Sequence, residues 1–117
     1  MLRGEVWWAS PRLPGGSRKR RPMLVVSDDA FNRNGAYPKV LVVHLTSVRR
    51  AGGPFDWEVE VAQGTAGLDR PSVAKCAEVY TLWKDQLESV VGTLPRSLMR
   101  SIDRALALAL GLPIGLD

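Results

Sequence analysis

Four consecutive cations, Arg18-Lys19-Arg20-Arg21, stand directly before Pro22 and the apolar run Met23-Leu24-Val25-Val26. An arginine stays charged at any cellular pH, and its planar fork can grip a phosphate through two parallel N–H donors. Arg21 closes the run at a loop–strand junction, where the strand's backbone hydrogen bonds can fix its position. The three cations before it belong to Ser10–Arg20, a stretch broken by Pro11, Pro14, Gly15 and Gly16, which offers no such anchor. The chemistry within reach is phosphate binding and stabilisation of phosphoryl charge. Taken alone, a solvated basic loop is the simpler reading of the same residues.

Other reactive side chains are few. His44, the only histidine, lies inside the apolar run Val40–Leu45, where a packed and hydrogen-bonded ring is expected. One histidine excludes a paired-imidazole nuclease. Cys76, the only cysteine, sits in a strand-like segment and reads as a buried thiol rather than a nucleophile. No phosphate-binding glycine loop, zinc-ligand spacing or nucleophile elbow is present.

The elements that must position these residues fit one domain spanning 1–117, with 45% hydrophobic and 24% charged residues and a real core. Residues 1–50 hold ten Lys/Arg against three Asp/Glu, a net +7, while residues 51–117 carry a net −3. That asymmetry favours a polyanion or an acidic peptide as partner of the first half. Charges spread evenly over the folded surface would form no such patch. A single cysteine allows no internal disulfide and suits a reducing compartment. No apolar stretch reads as a signal peptide or membrane span, so a soluble cytoplasmic protein with no membrane partner is expected.

Strands are predicted at Glu5–Ala9, Met23–Val26, Val40–Leu45, Trp57–Val61, Val73–Val79 and Val90–Val91. In the fourth, alternation places Trp57, Val59 and Val61 inward and Glu58 and Glu60 in water. One helical turn, Asp28–Asn32, is capped by Ser27 or Asp28. A helix from about Pro95 to Leu110 puts Leu98, Ile102, Leu106, Ala109 and Leu110 on one stripe and stops at Gly111. Short strands in series without intervening helices cannot build a parallel sheet. The fold class is mainly β, a small antiparallel barrel or rolled sheet closed by a C-terminal helix.

Several short motifs follow one another in a particular order: Gly4-Glu5-Val6-Trp7, Arg21-Pro22 leading into Leu24-Val25-Val26-Ser27, then Asn32. Leu45-Thr46-Ser47, Pro54-Phe55, the Ser72–Leu82 segment and Leu87 through the last helix continue it. In order and spacing the chain resembles the MazF/PemK (Kid-like) toxin family over nearly its whole length. The resemblance implies an SH3-like barrel of the CcdB/MazF/Kid type with a C-terminal helix, working as a homodimer. It implies a ribosome-independent endoribonuclease of a type II toxin–antitoxin pair, acting on single-stranded RNA (mRNA or tRNA) to inhibit translation. It further implies no metal or other cofactor and a cognate antitoxin as partner.

By the same resemblance, Arg21 falls on the family's catalytic arginine and Thr46 on its catalytic threonine, with Ser47 in the same motif. Arg18, Lys19 and Arg20 then steer RNA, Arg49 and Arg50 add phosphate contacts, and Lys75 joins them. The reaction implied is attack of a ribose 2′-hydroxyl on the adjacent phosphate, leaving a cyclic phosphate and a 5′-hydroxyl. Arginine is a poor proton acceptor, so Arg21 is assigned charge stabilisation, with the Thr46 hydroxyl donating to a non-bridging oxygen. Trp8 is a candidate base platform and Trp7 a core residue. The chain departs from the Kid branch at Lys75, where that branch has arginine, and at Ala77, where it has aspartate. Its first loop also lacks the acid that some members carry, which leaves the general base open. Two other readings stand beside this one: a CcdB-like, non-catalytic gyrase poison, and an RNA-binding barrel impaired in catalysis. The pair Arg21 and Thr46 favours the nuclease.

Overall fold

The computed structural model describes residues 1–12, 18–47 and 50–114. Arg49, expected to contact phosphate, lies outside these residues, as do Gly15 and Gly16 of the first loop. Six strands form one antiparallel sheet: β1 (Glu5–Ala9), β2 (Arg21–Val25), β3 (Lys39–Thr46), β4 (Glu58–Val61), β5 (Ser72–Trp83) and β6 (Leu87–Thr93). Their spatial order is β4-β5-β3-β2-β1-β6. A short helix α1 (Asp29–Arg33) joins β2 to β3, and α2 (Arg96–Leu110) ends the chain. The mainly β fold with a C-terminal helix is as expected, although β5 runs on to Trp83 and β6 begins at Leu87, well beyond the apolar cores of each.

Alternation sorts the strand residues onto two faces. Leu24, Val43, Leu45, Ala74 and Cys76 pack with Ile102 and Ala105 of α2 in one core. Met23, Val25, Val40, Val42 and Leu82 build a second on the other face, with Trp7 against it. The α2 stripe is shifted from the predicted one: Leu98, Met99, Ile102, Ala105 and Leu106 meet the core, while Ala109 and Leu110 are exposed. The sheet covers only the first three turns of the helix, so the last turn has nothing to pack on. Gly111 ends the helix in the left-handed conformation, as its position predicts. Asp28 caps α1 by accepting from the Ala30 N–H at 2.9 Å.

The edges β4 and β6 do not pair, and the barrel is sealed another way. A single 3₁₀ turn, Thr65–Gly67, follows β4 and lies directly on β6. A Cβ on Gly92 of β6 would overlap the Ala66 carbonyl, and one on Gly67 would come within 2.8 Å of the Val91 carbonyl oxygen. Ala66 holds φ +52°, a left-handed conformation that costs a non-glycine residue roughly 1 kcal/mol. Two backbones therefore meet with no side chain between them, and the chain leaving this seam leads straight to the site.

The β4 expectation is overturned in part. Val61 is buried, but Trp57 lies outside the strand and is exposed, and Glu58 is the buried residue at its start. Glu58 tolerates burial because the Lys75 ammonium donates to its Oε2 at 2.6 Å and the Phe55 N–H donates to Oε1 at 3.1 Å.

A cationic groove at the strand ends

The register Met23↔His44, Leu24↔Val43, Val25↔Val42 joins β2 to β3. Arg21 at the start of β2 and Thr46 at the end of β3 lie two residues beyond the pair Met23↔His44, so strand pairing brings these sequence-distant residues to the same end of neighbouring strands. Both line a groove of about 330 Å³ at this end of the sheet, with Trp8, Lys19, Arg20, Ser47, Asp69 and Arg70 also on its walls.

Arg21 is half-buried. Its Nε is fully covered and has no hydrogen-bond partner, and no acid pairs with it among the described residues. A half-buried guanidinium without a counter-charge is costly, and an anion held in the groove would offset its charge. Its field reaches along the same sheet face: burial and the Glu78 carboxylate push the Tyr80 phenol up, while the Arg21 charge pulls it the other way. The neighbouring Arg20 is already committed. Its Nε lies 3.1 Å from Glu88 Oε1, and its guanidinium stacks 4.6 Å from the Trp8 ring centroid. Trp8 is a half-buried wall of the groove with the Arg20 guanidinium over its ring, whereas Trp7 packs against the second core.

The other expected RNA contacts divide between two places. Lys19 and Ser47 share the groove with Arg21. Arg18 does not line it; its Nε donates to the Ser10 carbonyl at 3.1 Å. Arg50 and Lys75 line a second cavity of about 200 Å³ with Pro54, Glu58, Glu60 and Val73. There Arg50 stacks 3.6 Å from the Phe55 ring centroid, and Phe55 stacks on the exposed Trp57 at 4.7 Å. Thr46 pairs with Val73, and Val73 with Glu60, so this cavity adjoins the groove across the sheet.

His44 is the packed residue its setting predicts. It is 8% exposed, its Nε2 lies 3.1 Å from Glu78 Oε1, and Tyr80 meets it edge-on. Around it β5 bulges: the register passes from Val43↔Val79 to Leu45↔Ala74, leaving residues 75–78 against His44 alone. Lys75 and Ala77, the two departures from the Kid branch, both fall in this bulge. Cys76 is fully buried, and its thiol is pushed up to about 12 by burial and by Glu58, which removes it as a nucleophile. Asp69 and Arg70 line the groove unanticipated; their setting between Gly67 and Pro71 reads only as a turn.

The Lys75–Glu58 pair carries a pH signature. Burial raises the Glu58 carboxyl, but the hydrogen bonds from Lys75 and Phe55 and the charges of Lys75 and Arg50 outweigh it and hold the group below its usual value. A carboxylate depressed in the folded state adds stability above its unfolded value, and that stability is lost as the pH falls through the folded one. Lys75→Ala should therefore cost about 2 kcal/mol in urea unfolding at pH 7 and clearly less near pH 3, where a protonated Glu58 needs no partner.

Comparison with known proteins places the chain in a family. The family model for the PemK-like, MazF-like toxin of type II toxin–antitoxin systems matches residues 2–110. Endoribonuclease MazF2 of Mycobacterium bovis and Endoribonuclease MazF6 of Mycobacterium tuberculosis are each 35% identical over 99 residues, covering 83% of this chain and 85% of theirs. A solved mycobacterial endoribonuclease in complex with its cognate antitoxin superposes with a TM-score of 0.78 at 31% identity, over 98% of this chain and 99% of that one. The chain belongs to the PemK-like, MazF-like toxin family of type II toxin–antitoxin systems.

Proposed function

We propose that this protein is the toxin of a type II toxin–antitoxin pair and acts as a metal-independent, sequence-selective endoribonuclease on single-stranded RNA. The observation that carries the reading is the Arg21 guanidinium, without an acidic partner among the described residues, sharing one open groove with Thr46 at the ends of neighbouring strands. Arg21 stabilises the charge that builds on the non-bridging oxygens when a ribose 2′-hydroxyl attacks the adjacent phosphate. The Thr46 hydroxyl donates to one of those oxygens, and the pair holds the phosphate in line for departure of the 5′-oxygen. Lys19 and Arg20 draw the backbone in, Trp8 supplies a stacking face, and Arg50 and Lys75 engage the chain in the adjoining cavity. Ser47 contacts the same phosphate group from beside Thr46.

The named relatives are endoribonucleases, and one is solved with its antitoxin. That supports the same activity here and an acidic antitoxin segment laid over this cationic groove. Residues 1–117 act as one domain in a cytoplasmic homodimer. Leu108, Leu110 and Leu112, which are 40, 62 and 55% exposed, offer an apolar surface that suits pairing. No helix among the described residues is long and apolar enough to cross a membrane.

The test is incubation of the purified protein with long RNA in excess EDTA, followed by mapping of 5′-hydroxyl ends. Discrete cuts bearing 5′-hydroxyl and cyclic-phosphate termini are expected. Intact RNA with trapped gyrase–DNA complexes would favour the gyrase-poison reading, and RNA binding without cleavage would favour an impaired barrel.

A further inference from the structure

Attack by a 2′-hydroxyl requires a proton acceptor, and most of the groove cannot supply one. Its arginines and lysine have no lone pair to offer at neutral pH, and serine and threonine hydroxyls are far too weak as bases. Among the described residues the groove is lined by one acidic residue, Asp69. Nearby acids are engaged: Glu88 pairs with Arg20 at 3.1 Å, and Glu78 holds His44 at 3.1 Å. Asp69 has no ion pair or side-chain hydrogen bond among the described residues.

Its backbone is nonetheless fixed on both sides. Leu68, 5% exposed, plugs the first core, and its N–H and carbonyl bond to the Thr65 carbonyl at 3.0 Å and the Gly64 N–H at 2.8 Å. On the other side, the buried Ser72 donates its hydroxyl to the Arg70 carbonyl at 3.1 Å. Asp69 thus stands on a short, pinned loop in the wall of the groove that Arg21 and Thr46 also line. The charged groups sharing the groove with it are Lys19, Arg20 and Arg21 from the β1–β2 side and Arg70 beside it. β1 and β3 contribute no titratable side chain there.

We propose that Asp69 is the general base of the cleavage, a role that rests on the groove being an RNA-cleaving site. The Asp69 carboxylate takes the proton as the 2′-O–H bond breaks and the 2′-oxygen bonds to phosphorus. The bond from phosphorus to the 5′-oxygen then breaks, the leaving 5′-oxygen takes a proton from water in the open groove, and Asp69 returns its proton to solvent. The net change moves one proton from the 2′- to the 5′-oxygen. This accounts for how the chain works with Ala77 in the bulge and with no acid among residues 18–21.

The experiment is cleavage of a short RNA carrying one mapped site by the parent, Asp69→Asn, Asp69→Glu and Arg21→Ala. Asp69→Asn is expected to lower kcat about 100-fold or more, with KM within about threefold. Asp69→Glu, which keeps the carboxylate, should restore the rate in part. A parent-like rate in Asp69→Asn, while Arg21→Ala is inactive, overturns the proposal and leaves the reading of the groove intact. A parent that leaves RNA uncut, or an Arg21→Ala variant as fast as the parent, overturns that reading instead.

Discussion

Arg21→Ala is expected to slow RNA cleavage about 1,000-fold while leaving the protein at least as stable as its parent. The rate effect follows from geometry: a cation held where phosphoryl charge develops acts without reorganisation, and loss of one such donor typically costs a factor of about 10² to 10³. The stability effect has the opposite sign because Arg21 is half-buried with an unsatisfied Nε and no acidic partner among the described residues. Its removal relieves an electrostatic cost that bound RNA would otherwise offset. Arg21→Lys keeps the charge but loses the planar fork, and should recover no more than about a tenth of the parent rate. Single-turnover cleavage and thermal unfolding on the same samples check both. A structural arginine would give the reverse, a lowered Tm with activity falling only in step.

The second large effect lies away from the groove. Gly92→Ala places a methyl group on the Ala66 carbonyl, where neither backbone has a side chain that could move aside. The seam between the 65–67 turn and β6 must open or the strand must bend. Overpacking of this kind should cost about 3 kcal/mol, or on the order of 10 °C in Tm. Gly35→Ala is the control, since a Cβ there meets nothing within 4 Å and the backbone is not left-handed; its effect should stay within about 0.5 kcal/mol. Because the seam anchors the chain that leads to Leu68 and Asp69, Gly92→Ala should also depress cleavage below what the unfolded fraction explains. Equal melting of the two variants would refute the sealing role of the seam.

How far the site could be read in advance depended on which forces placed each residue. Arg21 and Thr46 were legible because each terminates an apolar strand, and pairing of the two strands brings them to one end of the sheet. The basic loop was legible as charge, but charge does not say where a side chain points: Arg18 turns to a backbone carbonyl and Arg20 to Glu88 and Trp8. Period-two patterning failed at Glu58 because its burial depends on Lys75, a residue on another strand that no local pattern reveals. It failed again at the end of α2, where the amphipathic stripe outruns the sheet beneath it. Asp69 gave no local signal at all. Its placement comes from the Leu68 plug and the Gly67–Gly92 seam, contacts that exist only once the sheet has curled.

A double-mutant cycle on Arg21 and Thr46, read by single-turnover cleavage of an RNA with one site, bears most directly on the shared phosphate. Two groups acting on one phosphoryl centre lose most of their joint effect when either is removed. Arg21→Ala with Thr46→Ala should therefore be about as slow as the slower single variant. Losses that multiply in full would mean that the two side chains act at separate places, and that no common scissile group lies between them.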